Sequence, residues 1–323
     1  MFYRVLRQLA YAAALILAVL VLNFMLIQLA PGDPAEVIAG EMGGASAEVM
    51  AAIRQQYGLD KPLLTQLGIY LGRALQGDLG TSYFYNRPVV DLILSRLGPT
   101  LLLVATALAF AMIVGTRLGL LAARNPRGLA SALVTVLSLV GYSAPVFWTG
   151  LMLVILFGAT IPLFPIAGMI DVVKQGGLLV RALDIAHHLV LPALTLGLVY
   201  LAQYSRLTRA SMLEVLGSDY IRTARAKGVS ERRVFNHHAF RNALLPVVTV
   251  AGMQFGAIIS GAVLVETVFS WPGLGTLAFQ SILARDYPTV LGILFFSTLI
   301  VIVANLLTDF VSRLLDPRLA GGR

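Results

Sequence analysis

DYIRTARAKGVSERR, residues Asp219 to Arg233, is the centre of a strongly basic, polar block that runs from Arg206 to Arg241 between two long apolar runs. Of the 323 residues, 58% are hydrophobic and only 12% are charged, too apolar for an ordinary soluble domain and expected of a polytopic membrane protein. A membrane protein that carries so polar a block on one side of the bilayer presents something to a soluble partner, and the side on which the block lies sets the topology of the rest.

Working outward, the charged residues mark the loops. Between them lie six long uncharged runs: Gln8 to Gly32, Leu97 to Thr116, Gly128 to Ile170, Ile185 to Ser205, Asn242 to Val265 and Tyr287 to Thr308. Each can cross a hydrocarbon core of roughly 30 Å, which takes about 20 helical residues. A helix also satisfies its own backbone where water is absent. The third run is long enough for one helix plus a loop or for a tight pair, and charge balance selects one crossing. Six spans then put Arg4 and Arg7, Arg117, Arg124 and Arg127, the 206 to 241 block, and Arg313, Arg318 and Arg323 on one side. Asp33, Glu36, Glu41, Glu48, Asp60, Asp78 and Asp91, mixed with Arg54, Lys61, Arg73, Arg87 and Arg96, fall on the other. By the positive-inside rule both termini are cytoplasmic. Pro162 and Pro165 belong to a loop after the third helix.

The expected organisation is an all-α chain: a tail and first span over 1–30, an external cap over 31–96, and a five-helix core over 97–323 that carries the cytoplasmic loop 206–241. In the cap, Pro31 to Pro34 closes the first helix, Ala47 to Tyr57 has helical character, and Tyr83, Phe84 and Tyr85 face a partner or pack on the bundle. FSWPGLG (Phe269 to Gly275) forms an outer turn whose Trp271 suits the membrane interface. The first apolar run is too long for a signal-peptide core and is expected to remain as an anchor.

Several chemistries are excluded or disfavoured. The formal net charge of +8 follows from topology and points to no nucleic acid. Cysteine is absent, which removes disulfides, thiolate metal sites and Cys nucleophiles. No phosphate-binding G-x-x-x-x-G-K-[ST] loop occurs, so the chain is not expected to hydrolyse ATP. His187–His188 and His237–His238 are adjacent pairs pointing about 100° apart on a helix, unlike the i, i+4 pair of a zinc helix, and are expected to be solvated or interfacial. Arg117 and Glu266 lie near span ends, where snorkelling or loop contacts account for them. No catalytic, metal or substrate-binding residue is assigned.

Within the block, Ser218 is placed as an N-cap, Asp219 complements the helix dipole, and Gly228 terminates the helix after Lys227. Tyr220, Ala224 and Lys227 share one face approximately, and Ile221, Arg225 and Gly228 another. Ala224 and Ala226 permit close approach of another surface, with Arg222, Arg225 and Lys227 at its rim. A solvated loop that merely sets topology is the plainer alternative.

The stretches SMLEVLGSDYIRTARAKGVSERRV (Ser211 to Val234), HHAFRNALLPVVT (His237 to Thr249), ETVFSWPGLG (Glu266 to Gly275), RDYPTVLG (Arg285 to Gly292) and DPR (Asp316 to Arg318) resemble the permease subunits of ATP-binding cassette importers. The resemblance is to their dipeptide, oligopeptide and nickel branch, most of all to its B-type dipeptide subunits. PGDP (Pro31 to Pro34), GDLGTS (Gly77 to Ser82) and GYSAPVFW (Gly141 to Trp148) extend it through nearly the whole chain. The family's loop pattern begins Glu-Ala-Ala; this chain keeps Ala224 and Gly228 but has Arg222 and Thr223 in the first two places, so no contact of a family Glu carries over.

The resemblance implies the type I importer permease fold with six transmembrane helices, in the inner membrane of a prokaryote. It implies a second homologous permease, two ATPase subunits that hold ATP and Mg, and an external substrate-binding protein. Asp219, Tyr220, Arg222, Ala224, Arg225, Lys227 and Gly228 would form the coupling helix that docks in a groove of one ATPase. The implied cargo is a dipeptide or short oligopeptide, with nickel complexes, glutathione-like peptides or other small solutes as alternatives. Two other classes remain: an ion-coupled secondary transporter using Glu266 or Asp286, and a membrane-bound enzyme, for which no convergent catalytic set is visible.

Overall fold

The computed structural model describes residues 2–29, 51, 55, 60–82, 84–174 and 176–315. The Pro31 to Pro34 turn, Tyr83, the Asp316 to Arg318 motif, and the charges Asp33, Glu36, Glu41, Glu48, Arg54, Arg318 and Arg323 lie outside the described residues, as does the helix expected over Ala47 to Tyr57 except for Ala51 and Gln55. The described elements are helices: α1 (Phe2–Leu29), α2 (Leu63–Leu75), α3 (Val89–Arg124), α4 (Leu129–Ser143), α5 (Val146–Val154), α6 (Leu178–Leu216), α7 (Asp219–Ala226), α8 (Phe240–Val268), α9 (Leu274–Leu283) and α10 (Tyr287–Leu315). Wider π-helical turns extend α5 through Ile155–Thr160 and lead into α8 through Val234–Ala239.

Among the described residues, four helical stretches are long and apolar enough to cross a membrane: Leu6–Leu26, Val89–Arg124, Leu178–Leu216 and Tyr287–Thr308. α8, which contains the uncharged run 242–265, spans 29 residues, roughly 43 Å at about 1.5 Å per residue and ample for a bilayer core. The third run, expected to make one crossing, is bent. α4 and α5 meet at an angle of 101°. Pro145 supplies no N–H and disfavours helical geometry in the residue before it; Ala144 is extended at ψ 132° and the helix breaks there. Pro162 and Pro165 lie, as expected, in the irregular segment that follows.

The chain divides into two compact units, Met1–Gly98 with Leu277–Ile302 and Pro99–Thr276 with Val303–Arg323. In the first, Asn23 of α1 donates to the Leu291 carbonyl at 3.1 Å, and Phe24 meets Tyr70 of α2 with ring centroids 6.1 Å apart. Asp286, fully buried, accepts from Ser82 Oγ at 2.5 Å and from Thr289 Oγ1 at 2.6 Å, tying the 82–89 turn to the start of α10. Of the aromatics after Thr81, Phe84 is exposed while Tyr85 is half-buried and donates to Gln280 Oε1 at 2.8 Å.

In the second unit α3 and α6 are in backbone contact. A Cβ at Gly115 would lie 2.8 Å from the Leu201 carbonyl oxygen, and one at Gly119 would lie 2.6 Å from that of Ser205 and 2.7 Å from Thr208 Cβ. Small residues one turn apart let two helices approach closely where apolar burial supplies little driving force.

The FSWPGLG turn belongs to this unit and differs from the expectation at Trp271. The indole is fully buried and donates to the Pro99 carbonyl at 2.9 Å, so it is a packing residue, not an interfacial anchor. Beside it Glu266, also fully buried, accepts from Thr100 Oγ1 at 2.6 Å, from the Gly275 amide at 2.7 Å and from the Thr276 amide at 3.1 Å. Thr100 Oγ1 in turn accepts from the Leu274 amide at 2.8 Å. The amides that begin α9 lack intrahelical acceptors, and a carboxylate there meets both the unpaired donors and the positive end of the helix dipole. A side chain at Gly273 would collide with this carboxylate, which explains a glycine beside it. Loop contacts thus account for Glu266, as the sequence reading held.

Candidate functional site

The polar block folds as a short helix on a hydrophobic seat. α6 ends at Gly217, and Ser218 enters α7 in extended geometry (φ −75°, ψ 157°) with its carbonyl accepting from the Arg222 amide at 3.2 Å. Ser218 is thus the N-cap residue, as expected, but its hydroxyl donates back to the Val215 carbonyl at 2.6 Å and makes no side-chain cap to α7. The other end follows the expectation. Gly228 has φ +76°, its amide donates to the Arg225 carbonyl at 2.9 Å, and the Val229 amide reaches the Ala224 carbonyl at 3.2 Å. These two bonds form a Schellman motif, whose left-handed residue is usually glycine because a Cβ is disfavoured in that conformation.

Ile221 is the residue that sequence reading misplaced. It is fully buried in a cluster with Ala123, Met212, Val234, Ala239 and Ala243, and Ala224 and Val229 pack against the same cluster. Ile221 and Ala224 are three residues apart and Val229 five further on, an apolar stripe that was legible but was split between two faces. Ala224, expected on the docking surface, therefore seats the helix on its own subunit. The surface presented outward carries Asp219, Tyr220, Arg222, Thr223, Arg225, Ala226, Lys227 and Gly228.

Several of these side chains are engaged within the chain. The Tyr220 hydroxyl accepts from Asn242 Nδ2 at 2.7 Å, fixing the ring against the start of α8. Arg225 forms a two-pronged pair with Glu231, Nε to Oε1 at 2.7 Å and Nη2 to Oε2 at 3.2 Å. These hydrogen bonds hold the Glu231 carboxyl below the usual range and raise the Arg225 guanidinium further. Arg222 reaches Asp219 at 3.2 Å, but both are so exposed that the pair contributes little. Elsewhere in the block, Arg209 donates from Nε to Ser131 Oγ at 3.1 Å, and Arg124 lies 5.3 Å from the Phe235 ring centroid. Lys227 is exposed and turned to the outside, and the space over Gly228 is open, with no atom of this chain within 4 Å of where a β-carbon would stand.

At the opposite end of α6 lies a cluster that the sequence reading missed. Asp184 accepts from the Asp171 amide at 2.7 Å and pairs with Lys174 at 3.1 Å beside a cavity of about 400 Å³. His188 is buried, with Nδ1 2.9 Å from the Asp184 carbonyl oxygen, whereas a solvated or interfacial side chain was expected. Among the described residues no group of three or more His, Cys, Asp or Glu side chains converges on a metal-sized site.

Two solved chains share the fold over most of their own length. A chain of the MetNI methionine ABC transporter in its inward-facing conformations matches with a TM-score of 0.54 at 16% identity, over 70% of this chain and 96% of that one. An amino acid ABC transporter solved with histidines matches with a TM-score of 0.52 at 16% identity, over 69% and 94%. The chain belongs to the family of binding-protein-dependent transport system inner membrane components, whose model matches residues 115–321, with the family's N-terminal model on residues 1–104. It is a transport component of the inner membrane. The dipeptide transport system permease protein DppB of Escherichia coli is 40% identical over 98% of both chains. The di/tripeptide transport system permease protein DppB of Pseudomonas aeruginosa is 43% identical over 93% of this chain and 94% of its own.

Proposed function

We propose that this chain is one of two permease subunits of an ATP-driven importer of dipeptides or short oligopeptides, with both termini in the cytoplasm. An external binding protein delivers the peptide, this subunit and a second homologous permease enclose its route, and two ATPase subunits, which hold ATP and Mg, supply the work. α7 docks in a groove of one ATPase through its outward face, with Lys227 and Arg222 offering charge and Gly228 offering room for close approach. Closure of the ATPases on ATP then moves the helices as rigid bodies and alternates access to the route.

The observation that carries this reading is near-full-length identity of 40% or more to peptide-transport permeases, combined with a coupling helix anchored by Ile221. An anchored helix transmits force to the bundle; a free loop would dissipate it. The test is co-purification with the native partners and uptake of a di- and oligopeptide panel in proteoliposomes. Accumulation that requires ATP and the binding protein supports the proposal. Accumulation that ignores ATP depletion but collapses with an ion gradient assigns the chain to ion-coupled transport instead.

A further inference from the structure

Gln254 stands at the middle of the uncharged run 242–265, roughly 18 Å of helix from either end and as deep as a core of roughly 30 Å allows. A carboxamide at that depth is costly unless its hydrogen bonds are met. Part of the cost is offset within the chain. Gln254 Oε1 accepts from the buried Tyr204 hydroxyl at 2.8 Å, and Gln254 Nε2 donates to Gln203 Oε1 at 2.6 Å. The ladder does not close there. Among the described residues the Gln203 amide nitrogen donates to no protein group, and both glutamines are partly exposed.

Polar side chains inside membrane helices are usually satisfied within the protein, as Thr195 is by donating to the Leu191 carbonyl one turn back on α6 at 2.8 Å. Here a ladder rooted on a buried tyrosine ends in an amide nitrogen without a protein acceptor among the described residues, on a partly exposed side chain at the depth of the hydrocarbon zone. Lipid tails accept no hydrogen bonds.

We infer that Gln203 and Gln254 line the solute route and that the spare amide donors hydrogen-bond the backbone carbonyl oxygens of the passing substrate. The substrate class rests on the peptide-import reading above. A neutral carboxamide pair reads peptide bonds without reading side chains or net charge.

The test uses the complete importer in proteoliposomes with Gln203→Cys or Gln254→Cys. This chain has no cysteine of its own, so label on its band reports the introduced thiol alone. A charged, membrane-impermeant methanethiosulfonate should modify both thiols, at rates that differ at least tenfold between the nucleotide-free and ATP-trapped complexes. A dipeptide delivered with the binding protein should slow the reaction. Separately, Gln203→Leu should lower peptide uptake about fivefold, the worth of one net hydrogen bond of about 1 kcal/mol. Assembled complexes in which neither thiol reacts in any nucleotide state, or Gln203→Leu complexes with wild-type uptake, overturn the inference. ATP-dependent labelling in a complex that imports no peptide upholds the route and overturns the peptide reading instead.

Discussion

Replacing Gly228 separates backbone geometry from docking. At φ +76° an L-residue with a β-carbon costs about 1–2 kcal/mol, whereas asparagine tolerates that region with a smaller penalty. Within this chain nothing lies within 4 Å of the position a Cβ would take, so no clash adds to the backbone cost. Gly228→Ala should thus weaken ordering of the loop by about 1 kcal/mol, a factor of about five, and Gly228→Asn by less. If Gly228 lies against the ATPase, the asparagine side chain obstructs the contact although the loop keeps its shape. ATP-driven uptake and binding-protein-stimulated ATP hydrolysis, measured on the reconstituted complex, should then both fall at least tenfold for Gly228→Asn. Its thermal unfolding should stay within a few degrees of wild type. Wild-type coupling by Gly228→Asn together with loss in Gly228→Val would mean that only the backbone turn matters, and docking at this residue would be refuted.

Ile221→Ala removes a fully buried side chain from the seat of α7 and should cost about 2–5 kcal/mol, read as a lower unfolding temperature, with Ile221→Val near 1 kcal/mol. Gly119→Val places a side chain against the Ser205 carbonyl and Thr208 and should sharply reduce the amount of folded protein recovered from the membrane, whereas Gly98→Ala, with open space around it, should not. Glu266→Leu strands the Gly275 and Thr276 amides and should destabilise the fold by about 2–4 kcal/mol, while Glu266→Gln retains an acceptor and should keep most of the stability and uptake. Loss of uptake in a stably folded Glu266→Gln variant would show that the negative charge itself is required.

Four of the six uncharged runs lie wholly in long helices, and the first does so over its described residues, because a bilayer demands continuous apolar helix, a constraint written locally in the sequence. The third run breaks at Ala144–Pro145, a signal that was present but was outweighed by charge balance, which counts crossings and is blind to their straightness. The end of α7 was legible because the Gly228 turn is local. Its inward face was not, since Ile221 is identified only by Ala123, Met212 and Ala243, residues that the fold brings from three other helices. For Glu266 the nearby loop contacts were legible, but its partner Thr100, 166 positions away, was not. The Gly115 and Gly119 pair was visible as spacing, but only the α6 backbone lying against it gives that spacing a meaning.

The 39-residue length of α6 has a mechanical consequence. At about 1.5 Å per residue it is a rod of roughly 58 Å, nearly twice the thickness of the hydrocarbon core. One end carries the Asp184 cluster and the other leads directly into α7. Pivoting about its middle by roughly 5° sweeps each tip through roughly 2.5 Å in opposite directions. Such a lever needs no relay of contacts between the two faces of the membrane, because the helix runs unbroken through Pro192, a third of the way along.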